Sequence, residues 1–461
     1  MSLTTAHAAA LTSMVGGIHA RSAEDLRHLD PGVEPRNLGA DLWLRPATTT
    51  EVSEIVAYCH RHRIGVVPHG GRTGLSGGAI SHAGEVVISL ERFTDCMVDP
   101  VSRTAVVGAG VRLSTLAEQA AAAGLSAGVD LGARDSATLG GMVSTNAGGI
   151  SAFRHGTLRE RVLGLEAVLP DGRVLSELGQ VVKRNEGLGI ERLLVGAEGT
   201  LGIITRVSLS LVPLDGPVAT ALVALPDLES AVRLVTTALG STHATPAALE
   251  FMSGNHTRAV CRDLRYTELE DLARAPFQLL VEMTAASPTT AESSLMALLE
   301  SGASEGWITD ASVAQNEEQR QRFWRVREDW AVDRERPGGL WYDISVPLSR
   351  LVAYVHAVAA RLAAHDPSLA IYLLGHLADG NLHLTVNADH PITERYEEIA
   401  GIVTAGLTEL GGSYSAEHGI GHEKKATLER WIHPTKRQLM RDIKALIDPH
   451  GIFNRGKVIP D

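Results

Sequence analysis

Two histidines flank an Asp379-Gly380 pair in the segment Ile371-Tyr-Leu-Leu-Gly-His-Leu-Ala-Asp-Gly-Asn-Leu-His-Leu-Thr-Val-Asn387. An Asp-Gly pair between alternating apolar residues signals a two-residue β-hairpin turn. With the turn there, His376 stands directly opposite His383, and such partners have Cβ atoms about 5 Å apart. The strand period of two sorts the hairpin into an apolar face of Leu373, Leu377, Leu382, Leu384 and Val386 and a polar face of Tyr372, His376, His383, Thr385 and Asn387. Two imidazoles on one face can chelate a divalent cation. An ordinary hydrogen-bonded histidine pair would read the same way. A third donor is available in Glu417, within Ser415-Ala-Glu-His-Gly-Ile-Gly421, and its neighbour His418 has nothing apolar beside it to explain it as a core residue. An exposed loop before a helix is the other reading of that segment.

Three glycine-rich segments lie earlier in the chain: Pro68-His-Gly-Gly-Arg-Thr-Gly-Leu-Ser-Gly-Gly78, Ser136-Ala-Thr-Leu-Gly-Gly-Met-Val-Ser-Thr-Asn-Ala-Gly-Gly149 and Gly196-Ala-Glu-Gly-Thr-Leu-Gly-Ile-Ile-Thr205. Successive backbone N–H groups without Cβ atoms in the way can face one anion, and interleaved Ser and Thr hydroxyls add donors. The combination suits a pyrophosphate, although each segment alone would pass as a tight loop. The common fingerprints fail. There is no GxxxxGK[ST], and the nearest GxGxxG, Gly108-Ala-Gly-Val-Arg-Leu113, lacks its third glycine.

The elements that must carry these groups are legible in outline. Met1 to Gly17 reads as a first helix, without the basic start of a signal peptide. Glu51 to Arg61 reads as a helix, Ile64 to Val67 and Ala105 to Gly108 as short strands, and Leu113 to Ala123 as a helix. Val162 to Leu169 is a strand closed by Pro170-Asp171-Gly172. Past Pro213 the glycines thin out, and helical stretches such as Leu228 to Leu239 alternate with strands such as Phe277 to Met283. Thr427 to Ile447 reads as one helix that stops at Asp448-Pro449. With 461 residues, 44% apolar and 21% charged, the chain reads as globular with two or three domains. A net charge of -12 argues against nucleic acid or an anionic membrane as partner. Only Cys59, Cys96 and Cys261 occur, with no CxxC, which argues against an iron–sulfur cluster and for a reducing, cytoplasmic setting. No apolar run is long enough to span a bilayer.

The segments PHGGRTGLSGG, SATLGGMVSTNAGG, GLEAVLPDGRVL and GAEGTLGIIT resemble the FAD-binding domain of the vanillyl-alcohol oxidase and p-cresol methylhydroxylase superfamily, over about residues 40 to 214. The resemblance implies two α+β subdomains with FAD stretched between them. It puts the pyrophosphate loop on Gly70, Gly71, Thr73, Gly74 and Ser76, with Pro68, Arg72 and Gly77 beside them. Ser136, Thr138, Gly140, Gly141, Ser144, Asn146, Gly148 and Gly149 are then expected to line the cofactor, with Glu198, Gly199, Ile203 and Ile204 nearby and Asn454 and Lys457 contributing from the C-terminus. Some members attach flavin through a histidine in the first loop. That place reads Arg72 here, so non-covalent FAD is expected. Two departures, His155-Gly156 for Tyr-Gly and Gly196-Ala197-Glu198-Gly199 for Gly-Ser-Glu-Gly, remove no glycine.

The second half resembles the D-2-hydroxyglutarate and D-lactate dehydrogenase branch of that superfamily, on Gly375-His-Leu-Ala-Asp-Gly-Asn-Leu-His383, Ser415-Ala-Glu-His-Gly-Ile-Gly421 and Asp448-Pro-His-Gly-Ile-Phe-Asn454 followed by Gly456-Lys457. The resemblance implies oxidation of a D-2-hydroxy acid to the 2-oxo acid, with hydride passing to flavin N5. It implies a zinc or manganese ion on His376, His383 and Glu417, with His418 as base. Arg327, in Trp324-Arg-Val-Arg327, maps onto a substrate-carboxylate arginine, and Trp341, Asn381 and Thr385 are expected to face the substrate. A helix-surface arginine is the plainer reading of Arg327. Dehydrogenases specific for 2-hydroxyglutarate carry Lys two residues before the Asp of a Tyr-Asp pair and Thr four residues after the arginine. Here those positions are Trp341 and Ala331, so an apolar or aromatic monocarboxylic substrate is expected, unless Arg325 or Arg334 replaces the lost charge.

The expected organisation is α+β. A two-subdomain FAD-binding domain covers 1–215, and an antiparallel-sheet-plus-helices substrate and metal domain covers 216–425. A short helical segment, 426–461, packs back on the first domain. The electron acceptor, an electron-transfer flavoprotein, a quinone or similar, is not written in the sequence, nor is the oligomer, for which a homodimer stays open. Two other functions stay open as well: an oxidase that uses O₂, and a non-catalytic FAD-binding subunit. The second of these predicts degraded histidines, and they are intact.

Overall fold

A computed structural model describes residues 3–460, so Met1 and Ser2 of the expected first helix, and the final Asp461, lie outside the described residues. The chain divides into two compact units. One comprises residues up to Leu214 together with Glu417 onward, and the other is Asp215–Ala416.

In the first unit a four-stranded sheet runs in the order Ala20–Ser22, Leu42–Leu44, Glu85–Ser89, Gly65–His69, its last three strands parallel. A parallel sheet needs both faces covered, and all five residues of Glu85–Ser89 are buried. Helix Thr49–His62 supplies cover. Thr48 caps it by accepting from the Glu51 amide, and Val52, Ile55, Val56 and Cys59 form its buried stripe. A five-stranded antiparallel sheet follows, in the order Cys96–Asp99, Thr104–Gly108, Ile203–Ser210, Val162–Val168, Val174–Glu177. The first helix spans Thr5–Val15.

The expected single helix over Thr427–Ile447 is two helices, Lys425–Trp431 and Pro434–Ile447. The reason is Pro434, whose ring bars the preceding residue from helical geometry. His433 is extended there, at φ -60°, ψ 133°, and its ring accepts from the Thr435 amide. After Asp448 the chain runs along the four-stranded sheet, where Phe453 pairs with Val66 and is fully buried.

The second unit is built on a seven-stranded antiparallel sheet. Its order is Asp310–Val313, Val218–Leu225, Phe277–Thr284, Thr245–Ser253, Ala370–His376, Asn381–Asn387, Leu340–Ser345. One face carries Phe251, Leu279, Val281, Ile344, Leu373, Leu382, Leu384 and Val386. It packs under helices Leu228–Leu239, Pro288–Ser304 and Leu348–His365 in the largest core of the chain. The opposite face is polar, and helix Glu317–Glu328 lies on it through Arg320 and Trp324 to Glu282 and Arg327 to Glu250.

Candidate functional site: a glycine-walled cradle and a histidine-bearing sheet face

In the first unit the strand Gly65–His69 ends in the loop that begins at Gly70. A Cβ on Gly71 would lie 1.9 Å from the Ser136 carbonyl oxygen, and one on Gly70 would lie 2.3 Å from Thr138 Oγ1. The first two glycine-rich segments are therefore pressed together, backbone to backbone. A Cβ on Gly74 would meet nothing within 4 Å, so the far side of the loop opens on space. Thr138 Oγ1 is buried with no hydrogen-bond partner, and so is Arg72 Nε. Arg72 has φ 56° and lies over the Trp43 ring at 5.0 Å, and burial lowers its pKa. An orphaned hydroxyl and an unpartnered guanidinium Nε beside glycine amides fit an anionic group such as the FAD pyrophosphate. His69, 1% exposed, holds the Ala79 carbonyl at 2.7 Å, and burial drives its pKa down to about 3.

Other expected cofactor residues brace the cradle. The Ser144 carbonyl accepts from the Glu198 amide at 2.7 Å. Asn146 Oδ1 accepts from the Arg159 amide at 2.8 Å and from Thr157 Oγ1 at 2.9 Å. Gly140 abuts Ala109, Gly141 lies beside Thr138 Oγ1, Gly77 faces Ile80, and Gly199 packs on Pro68. Ile203 and Ile204 are buried in the five-stranded sheet, and Thr73 is half-buried. Ser76 is spent on the Gly419 carbonyl at 3.1 Å.

Asn454 donates to the carbonyls of Gly78 at 3.0 Å and Glu198 at 2.6 Å and accepts from Lys457 Nζ, which also donates to the Ile80 carbonyl. The two residues thus tie the C-terminal segment to the cradle wall. Burial lowers the Lys457 pKa to about 8. Glu198 accepts from the amides of Ile420 and Gly421, and burial nonetheless raises its pKa. Glu417 Oε1 accepts from the Gly149 amide at 2.6 Å and lies beside Gly148, and Glu417 and His418 offer ligand atoms within 4.8 Å of each other.

In the second unit the hairpin register differs from the two-residue turn expected. Leu374, not His376, pairs with His383, and Leu377–Asp379 forms a 3-10 turn ahead of Gly380. A two-residue type I′ turn needs positive φ at both central residues. Only Gly380 has it, at 74°, and Gly380 is already bound into the sheet edge, its carbonyl accepting from the Val346 amide. The slip is two residues, so the face of every side chain survives. His376 and His383 share the polar face as diagonal neighbours, with ring centroids 5.4 Å apart and planes at 86°.

Each histidine lies in register with a buried carboxylate that was not singled out from sequence: Glu250 pairs with His376, and Asp343 with His383. His376 Nδ1 is 2.8 Å from Glu250 Oε1, and His383 Nδ1 is 3.8 Å from Asp343 Oδ1. Arg327, 9% exposed, donates from Nε to Glu250 Oε2 at 2.7 Å, so it is not a surface arginine. Burial pushes the Glu250 carboxyl up, but His376 and Arg327 outweigh it and the pKa lies below the ordinary value. Asn381 gives its amide to Asp343 Oδ1 and the Ile344 carbonyl, both at 2.9 Å, and so orients the carboxylate. Thr385 is buried opposite Trp341, which stacks on Trp330 at 4.5 Å and 28°. Asp333, hydrogen-bonded to Trp341, is pushed by burial up to about 6. On this face Asp343 and His383 offer ligand atoms within 4.8 Å of each other and could serve a divalent cation, whereas His376 is not in that group.

Comparison with known proteins agrees with this architecture. Residues 40–176 match the family described as FAD binding domain, and 216–458 match FAD linked oxidases, C-terminal domain. The mitochondrial D-2-hydroxyglutarate dehydrogenase of Bos taurus is 36% identical over 90% of this chain and 76% of that protein. The Arabidopsis thaliana protein of the same name is 36% identical over 91% and 75%. The D-2-hydroxyglutarate dehydrogenase of Xanthomonas citri pv. viticola is 33% identical over 90% and 88%. Among solved structures, p-cresol methylhydroxylase with substrate bound superposes with a TM-score of 0.76 at 15% identity, covering 100% of this chain and 98% of that one. An alkyldihydroxyacetonephosphate synthase reaches 0.71 at 18%, covering 98% and 85%.

Fold and family matches thus define an FAD-binding protein with the fold of p-cresol methylhydroxylase. The chain belongs to the FAD-linked oxidase family, in its branch of FAD-dependent D-2-hydroxyacid dehydrogenases. Among the described residues no helix is long and apolar enough to cross a membrane.

Proposed function

We propose that the preferred substrate is a D-2-hydroxy acid with one carboxylate and an apolar or aromatic side chain, oxidised to the 2-oxo acid. The observation that carries this is the stacked Trp330–Trp341 pair, whose Trp341 lies on the strand where Asp343 pairs with His383. Arg334, which would be the replacement cation, is held by Asp263 and Asp329, and Arg325 lies on the exposed side of its helix. A distal carboxylate placed beside the indoles would meet apolar surface and, among the described residues, no cationic partner there, and would lose part of its hydration without a return. An apolar side chain there instead gains about 25 cal/mol per Å² buried.

FAD, bound non-covalently, supplies the hydride acceptor. A zinc or manganese ion on His376, His383 and Glu417 would bind the substrate carboxylate and hydroxyl and lower the hydroxyl pKa. Arg327, pre-oriented by Glu250, is suited to hold the carboxylate through its terminal nitrogens. Asn381 steadies Asp343 beside His383, and Thr385 and Trp341 form the adjoining wall. His418 takes the hydroxyl proton on its imidazole. Electrons then leave to an electron-transfer flavoprotein, a quinone or a similar carrier.

The deciding measurement is kcat/KM with a dye acceptor on metal-replete protein. D-2-hydroxyglutarate is compared with D-lactate, D-2-hydroxybutyrate, D-mandelate and D-phenyllactate. A second reading, 2-hydroxyglutarate itself, is favoured by the names of the relatives. If the diacid wins by about tenfold, or roughly 1.4 kcal/mol, the argument from the indole wall is wrong and the second reading holds.

A further inference from the structure

Glu250 stands on Thr245–Ser253, in register with His376, and its side chain is 1% exposed. Its two oxygens are divided. Oε1 meets His376 Nδ1 at 2.8 Å and Oε2 accepts from Arg327 Nε at 2.7 Å. Helix Glu317–Glu328, which carries Arg327, is pinned to the same sheet face one and two turns earlier, where Trp324 and Arg320 donate to Glu282 at 2.8 and 2.6 Å. The buried carboxylate is therefore a joint between two elements that have independent anchors.

We propose that Glu250 is a positioning residue that serves substrate and metal sites at once, holding Arg327 for the substrate carboxylate and fixing the His376 tautomer. The inference rests on the reading of Arg327 and His376 given above. With the Nδ1 proton directed at Glu250, Nε2 is the nitrogen that His376 presents as a ligand. A carboxylate behind a ligating imidazole fixes ring orientation and raises ligand basicity. It also neutralises the arginine, which would otherwise be a buried charge without a counter-ion. Only a side chain with two acceptors can receive both donors. A glutamine keeps the shape but has one acceptor oxygen, so its NH₂ must face either the arginine or the imidazole N–H.

The test uses FAD-loaded full-length protein and three variants, E250Q, R327A and H376A. Zinc affinity is read by competition with a chromophoric chelator. E250Q is expected to bind zinc about 10–100-fold more weakly and to raise KM for the hydroxy acid, with FAD content unchanged as the check on folding. R327A is expected to raise KM and leave zinc affinity alone. In zinc-free wild type, ¹⁵N spectra should place the neutral His376 proton on Nδ1, and in E250Q they should show a mixture of tautomers. Wild-type zinc affinity in E250Q, or a wild-type His376 protonated on Nε2, overturns the coupling and leaves the metal reading intact. Zinc affinity unaffected by H376A removes the metal reading, and the proposed role of Glu250 falls with it.

Discussion

Glycines of one loop make opposite predictions, and that difference tests the cradle. A Cβ at Gly71 would stand 1.9 Å from the Ser136 carbonyl oxygen, while one at Gly74 would meet nothing within 4 Å. An ordinary contact of 3.4 Å requires the two segments at Gly71, at 1.9 Å, to part by about 1.5 Å, and overpacking of backbone against backbone costs roughly 1–3 kcal/mol or more. Gly71→Ala should therefore destabilise the protein with or without flavin. Gly74→Trp should leave the flavin-free protein nearly as stable as wild type, since surface substitutions usually lie within about 0.5 kcal/mol. The indole would instead occupy the space assigned to the pyrophosphate. Wild type at a free FAD concentration of about 100 Kd gains roughly 2.7 kcal/mol from ligand linkage, and Gly74→Trp should gain none of it. The assay is urea unfolding of each variant with and without FAD, beside the flavin absorbance of protein as purified. Yellow Gly74→Trp protein with a full flavin complement would refute the placement of the cofactor. So would a flavin-free Gly74→Trp as unstable as Gly71→Ala.

A chelator should abolish activity while flavin stays bound, and His376→Ala and His383→Ala should do the same, because the hairpin and the glycine loops belong to separate compact units; active enzyme with no metal by elemental analysis would exclude this. His418→Ala should slow turnover by roughly 10²-fold or more with little change in flavin absorbance, and near-normal turnover would move the base elsewhere. Burial places the folded-state pKa of Lys457 at about 8, below the roughly 10.4 of an unfolded chain. The unfolded state then binds more protons between those values, so stability should rise with pH from about 8 to 10, by up to ~3 kcal/mol. The rise should be missing in Lys457→Met, and parallel pH profiles for the two proteins would show that Lys457 is not the source.

Much of the fold was readable because its signals are local. The helix expected over Leu228–Leu239 forms with those ends, since Asp227 caps it, and the strand after Phe277 runs to Thr284. Pro434 is the local signal that divides the last helix, since the residue before a proline is kept from helical geometry. The hairpin shows how far a local rule reaches. Alternation assigned every side chain to its face, yet Asp379-Gly380 misplaced the register, because Val346, just past strand Leu340–Ser345, binds Gly380 and no turn propensity contains that segment.

The carboxylates behind the histidines were illegible for the same reason. Glu250 lies 126 residues before His376 in the chain, and only sheet order makes them neighbours. A histidine pair in the sequence is thus half of the arrangement. Strand pairing supplies Glu250 and Asp343, and with them a reason for His376 and His383 to hold one orientation on a polar sheet face. Arg327 gains its place in the same way: the helix that carries it is seated by Glu282 and Glu250, two carboxylates on neighbouring strands. Chemistry was visible in residue types, whereas the orientation that chemistry requires came from contacts between residues far apart in the chain.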